Sequence, residues 1–118
     1  MSKKTFKYIL VFYIIAILAV STIPGRKIPE LDLWSFDKLL HIIEYFILAF
    51  LMINVLGIPN VRSILIVIII GIAYGGFNEI WQGLIANRFA CIYDAIANVI
   101  GMIVGSIVTV KFLLFTND

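Results

Sequence analysis

The chain has 118 residues, 63% of them hydrophobic and 14% charged, with a formal net charge of +2 and a mean hydropathy of +1.11. Soluble domains carry about 45–50% apolar and about 25% charged residues, so this composition excludes one. A single cysteine excludes a disulfide framework, and nine bases against seven acids exclude a long basic tail for nucleic acid. The apolar residues come in runs long enough to cross a bilayer, which takes about 20 residues per helix. Four crossings use most of the chain and leave no second folded domain.

The first predicted span runs from about 6 to 23, follows Lys3, Lys4 and Lys7, and ends in the breaker Pro24-Gly25-Arg26-Lys27. A cleaved signal peptide shares this layout, but the run is long for an h-region. Its only small-x-small site is the poor Ala19-Val20-Ser21, so a retained anchor is expected. The stretch from Pro24 to Phe36 mixes prolines, acids and bases with Trp34 and reads as a polar loop with an interfacial aromatic. Span two covers about 37–56, and Gly57-Ile58-Pro59-Asn60 is a tight turn beside Arg62. Span three covers about 63–85, a turn follows at 86–90, and span four covers about 91–115. The expectation is an all-α membrane protein with four transmembrane helices in one domain, 1–118.

Orientation follows the bias of lysine and arginine. The amino-terminal lysines with Arg62 and Lys111 fall on one side; Arg26, Lys27, Lys38 and Arg88 fall on the other. The lysines flanking the first helix decide this near balance, so both termini are predicted cytoplasmic.

Depth then separates the polar residues, at about 1.5 Å of rise per helical residue. Asp37, Lys38 and His41 open span two from the outer side, and Glu44 lies roughly 10 Å below Asp37. Glu79 and Gln82 fall near the outer end of span three, Arg88 in the outer loop, and Asp94 and Asn98 in the first turns of span four. Residues three or four apart share a helical face. Asp37, His41, Glu44 and Tyr45 therefore form one stripe, and Gly71, Gly75, Asn78 or Glu79, and Gln82 a second. Asp94, Asn98, Gly101 and Gly105 form a third. Charged groups facing lipid at a helix centre cost roughly 2.5–3.5 kcal/mol each on insertion scales, so the three faces are expected to meet one another.

Each feature also has a plainer explanation. The Gly71-x-x-x-Gly75 and Gly101-x-x-x-Gly105 spacings are common helix-packing patterns. Arg88 with Asp94, or Lys38 with Asp37, would make interfacial ion pairs worth little alone. Lys38 would snorkel to the headgroups, and Cys91 would fill space unless a lowered pKa made it reactive. The coincidence of depth favours a site, because intramembrane ionisable residues are functional candidates by default.

Asp37-Lys38-x-x-His41-x-x-x-Tyr45, then Glu79-x-x-Gln82, Arg88 and Asp94-x-x-x-Asn98-x-x-Gly101-x-x-x-Gly105, resembles the VanZ-like family of bacterial membrane proteins. The match spans about residues 37–105. It implies a small multi-helix protein of the bacterial inner (cytoplasmic) membrane, from a family named for a member that confers low-level teicoplanin resistance, and it implies no reaction. Cys91 stands where related sequences often carry a small hydroxyl residue, which counts against serine-dependent chemistry, and Asn87 replaces a more usual glycine.

Three classes of function fit these residues. In the first, Asp37, Lys38, Glu44, Tyr45, Gln82, Arg88, Asp94 and Asn98 line an outer-leaflet pocket for a membrane lipid, lipid-linked envelope precursor or lipoglycopeptide. Arg88 and Lys38 would meet its anionic groups, arginine through its planar fork. In the second, His41 is a general base and Glu79 or Glu44 an acid in an intramembrane enzyme, with Arg88 stabilising developing charge. A metal variant on His41, Glu44, Glu79 and Asp94 matches no recognised zinc spacing, so neither metal nor cofactor is expected. In the third, the chain is an accessory subunit of a larger membrane complex or a homo-oligomer. A small multidrug antiporter is disfavoured because such transporters rely on a carboxylate in the first helix, and residues 6–23 contain none.

Overall fold

The computed structural model describes residues 2–21, 34–85 and 92–116, and their side chains except at 21, 34–37, 85 and 92. Among the described residues four helices form: α1 (Lys3–Ser21), α2 (Trp34–Leu56), α3 (Val61–Ile85) and α4 (Ile92–Thr116). No strand occurs among the described residues. The stretches Lys38–Leu56, Val61–Leu84 and Tyr93–Thr116 are long and apolar enough to cross a membrane. Their 19, 24 and 24 residues rise about 28, 36 and 36 Å, against a hydrocarbon core of about 30 Å. Three lysines occupy the first five positions of α1, leaving a shorter apolar stretch.

The turn between α2 and α3 is built as its residues require. Gly57 takes φ +72°, a left-handed conformation that suits glycine. Its amide donates to the Ile53 carbonyl at 2.9 Å, closing the end of α2. Asn60 caps α3, its Oδ1 accepting from the Ser63 amide at 2.9 Å. The Ser63 hydroxyl donates to the Ile58 carbonyl, so the buried serine is satisfied within the turn.

The closest seam joins α2 and α4. Lipid tails are as apolar as leucine, so helices in a bilayer gain from close backbone approach at small residues rather than from hydrophobic exclusion. A Cβ on Gly101 would strike the Ile42 carbonyl oxygen and stand 3.0 Å from Tyr45 Cβ. One on Gly105 would stand 2.7 Å from the Phe46 carbonyl oxygen and 3.0 Å from Ala49 Cβ. As the contact advances from Ile42 to Phe46 on α2 it advances from Gly101 to Gly105 on α4, so the two helices run parallel. The crossover that parallel helices require is α3, whose Gly71 faces the flexible side chain of Met102.

Helix α1 runs antiparallel to α2. Phe6 meets Phe50 edge to face with ring centroids 6.0 Å apart, and the Tyr13 hydroxyl donates to the Glu44 carbonyl at 2.7 Å. The Tyr74 hydroxyl on α3 donates to the Ile14 carbonyl at 2.8 Å, tying α1 to the third helix as well. Tyr45, Leu48, Ala49, Ile53, Val67, Met102 and Val110 form the buried core. Phe12, Ile69, Leu84, Phe112 and Phe115 point outward, giving the apolar exterior that a bilayer accommodates.

Candidate functional site

Lys38 and His41 lie three residues apart on α2, and Asp94 and Asn98 four apart on α4, so each pair shares a face. Parallel packing sets the two faces against each other. Lys38 Nζ lies 2.6 Å from Asp94 Oδ1. The other carboxylate oxygen, Asp94 Oδ2, faces His41 Nε2 at 3.8 Å, beyond direct hydrogen-bond reach. His41 Nδ1 completes the chain with a 2.9 Å hydrogen bond to Asn98 Oδ1, in which the ring nitrogen donates. Asp94 is also the acid in the first turn of α4, where the exposed amides of a helix start favour negative charge. The Lys38 and Asp94 side chains are 19% and 14% exposed, so the pair is screened from water over most of its surface.

Helix α3 adds Asn78, Glu79 and Gln82, all buried. Tyr45 is fully buried and packs on Tyr74 with ring centroids 6.4 Å apart. Glu44 is half-buried and lies within electrostatic reach of Tyr13, Tyr45 and Tyr74, as Glu79 does of Tyr45. Asn98 Nδ2 is buried and makes no hydrogen bond among the described residues, while the Asn78 amide lies within hydrogen-bonding reach of the buried Tyr45 hydroxyl.

The other half of the bundle differs. Thr109 Oγ1 donates to the Gly105 carbonyl at 2.6 Å, Ser106 Oγ to the Ile103 carbonyl at 3.1 Å, and Asn54 Nδ2 to the Phe50 carbonyl at 2.8 Å. These groups are spent on their own helices. A groove of about 250 Å³ in this half is lined by Phe46, Phe50, Val108, Thr109 and Phe112 and is almost wholly apolar.

Of the residues singled out in the sequence, Lys38 is paired directly with Asp94 and His41 with Asn98, and His41 Nε2 stands 3.8 Å from Asp94 between the two pairs. Gly75 brings α3 to the same place: a Cβ there would stand 3.5 Å from Asn98 Nδ2 and 3.6 Å from Tyr45 Oη. Glu79 and Gln82 share the same stretch of α3. The side chain of Asp37 lies outside the described residues, as do Asn87, Arg88 and Cys91. The Lys38 ammonium is held by Asp94 across the seam, so it serves the site as part of an ion pair.

Tyr13 and Tyr74 escaped the sequence reading. Their signal was a phenol inside an apolar run, whose hydroxyl needs a partner where water is scarce. Among the described residues no three His, Cys, Asp or Glu side chains gather as a metal site. A small, water-poor cluster with a paired charge, an imidazole and several amides is suited to holding a polar head group by hydrogen bonds. No family model matches this chain, and no curated protein or solved structure matches it.

Proposed function

We propose that the polar end of this multi-pass membrane protein binds the head group of an envelope amphiphile: a membrane lipid, a lipid-linked precursor or a lipoglycopeptide. The observation that carries this reading is the pairing of Lys38 with Asp94 and of His41 with Asn98 across α2 and α4, beside three buried polar residues of α3. The Ser106 and Thr109 hydroxyls of the opposite half are bonded within their own helix, and that of Ser63 within the turn before α3, which leaves the hydrogen-bonding capacity at one end. The reading includes α1 as a fourth span. Its packing on α2 and α3, and its exposed Tyr8, Phe12 and Ile15, support that placement.

Both termini are proposed to be cytoplasmic in a bacterial inner membrane, in keeping with Lys3, Lys4, Lys7, Arg62 and Lys111 at the end opposite the cluster. The resemblance to VanZ-like proteins supports teicoplanin tolerance as the outcome of binding. A second reading, catalysis with His41 as base and Glu79 as acid, is favoured by the approach of His41 Nε2 to Asp94.

The test is teicoplanin susceptibility of a bacterial host carrying the wild type, Asp94→Asn, Asn98→Leu or Arg88→Ala at equal membrane levels. Loss of protection in the variants is expected; undiminished protection overturns the proposal. Turnover of a lipid-linked substrate by purified protein would move the assignment to the second reading.

A further inference from the structure

The two ring nitrogens of His41 face different neighbours on α4. Nδ1 lies 2.9 Å from Asn98 Oδ1, an oxygen that only accepts, so Nδ1 carries a proton in this arrangement. Nε2 lies 3.8 Å from Asp94 Oδ2. A bare Nε2 would turn its lone pair toward that carboxylate, which Lys38 holds through Oδ1 at 2.6 Å. A proton on Nε2 turns the repulsion into attraction. The arrangement with the Asn98 oxygen on the ring therefore belongs to the doubly protonated imidazolium.

Loss of one proton disturbs these contacts. A neutral imidazole keeps a single N–H, and its other nitrogen becomes an acceptor. Asp94 favours the proton that stays on Nε2, so Nδ1 gives its proton to water and then needs a donor. Asn98 can supply one without moving its backbone. A half-turn of the amide puts Nδ2 where Oδ1 stood, and the two groups are nearly the same size. Asn98 is 2% exposed, so water is a poor substitute. The far side of the amide faces α3, where Nδ2 lies 3.5 Å from the place a Gly75 Cβ would take, beside Tyr45. The half-turn exchanges that donor for an acceptor.

We propose that His41 and Asn98 form a proton-dependent amide switch between α2 and α4. The imidazolium holds the Asn98 oxygen and presents the amide nitrogen to α3; neutral His41 holds the nitrogen and presents the oxygen. Around His41 stand Lys38 and Glu44, each three residues away on its own helix, and Asp94 on α4. Helix α3 adds Glu79 and Tyr74, both near Tyr45, and α1 adds Tyr13, bonded to the Glu44 carbonyl. Histidine is the side chain that ordinarily changes charge between about pH 5 and 8. The switch stands independently of the function proposed above. Only its consequence for a ligand, a donor offered at low pH and an acceptor at high pH, rests on the head-group reading.

The experiment is nuclear magnetic resonance of the full chain in detergent micelles, with nitrogen-15 in the histidine ring and the asparagine amides, across about pH 5 to 8. His41 is the single histidine, so its ring signals need no separation from others, and reading them directly distinguishes its titration from that of the glutamates. At low pH both ring nitrogens are expected to be protonated, with a nuclear Overhauser contact between the Asn98 amide protons and the Gly75 Hα. At high pH the proton should remain on Nε2 alone, and the contact with Gly75 should be lost with the same midpoint. In Asp94→Asn the bias toward Nε2 is removed, so Nδ1 is expected to keep its proton and the Gly75 contact to persist. A neutral wild-type ring protonated on Nδ1 overturns the proposal. So does a Gly75 contact that stays unchanged while the ring titrates, or a ring that does not titrate in this range.

Discussion

His41 Nδ1 donates to Asn98 Oδ1 across 2.9 Å, and this bond fixes the register of α2 against α4 at the polar end of the seam. One step toward the helix starts, Lys38 holds Asp94. One step the other way, Gly101 lies against the Ile42 carbonyl. Polar pairing and backbone contact therefore select the same alignment. A shift by one residue would break both together.

That coupling is measurable. A double-mutant cycle on His41→Ala and Asn98→Ala, read by denaturant titration in detergent, is expected to give an interaction of about 0.5–3 kcal/mol. A control cycle pairing His41→Ala with Thr109→Ala should be additive, because Thr109 bonds to its own helix at Gly105. Additivity in the first cycle would remove the bond from the account of register.

The glycines of the seam should differ in sensitivity. Gly101→Ala and Gly105→Ala push a methyl into backbone of α2 and are expected to destabilise by about 1–3 kcal/mol. Gly71→Ala should cost less, because its methyl meets the Met102 side chain, which can turn aside. Folded fraction against denaturant, compared across the three variants, checks this order.

The tyrosine tethers of α1 make a third prediction. Tyr13→Phe and Tyr74→Phe each remove a hydrogen bond from a hydroxyl to a backbone carbonyl, at about 0.5–1.5 kcal/mol apiece. The double variant should loosen α1 while leaving the seam between α2 and α4 intact. Faster labelling of a reporter cysteine at Ala16, with unchanged labelling of one at Ala97, is the expected result. Equal acceleration at both sites would mean that the tyrosines support the whole bundle.

The sequence by itself determined the membrane setting, the helical class and nearly all the helix limits. The expected spans 37–56, 63–85 and 91–115 compare with Trp34–Leu56, Val61–Ile85 and Ile92–Thr116. Such features are local: hydropathy reports each run, Gly57 and Pro59 interrupt the helices between α2 and α3, and Asn60 caps the next one. Helical periodicity also gathered His41, Glu44 and Tyr45 on one face, and Asp94 and Asn98 on another, but it assigned Lys38 to the headgroups rather than to Asp94. Only the tertiary structure decided which faces meet. In lipid every apolar stripe is equally acceptable to its surroundings, so pairing depends on where two backbones can approach. That depends on shape at Gly101 and Gly105 against Ile42, Phe46 and Ala49. The partner of Lys38 across the seam, the carbonyls that receive Tyr13 and Tyr74, and the approach of Gly75 to Asn98 and Tyr45 all follow from that fit. None is a property of a single helix, and spacing along one helix cannot specify contacts between two.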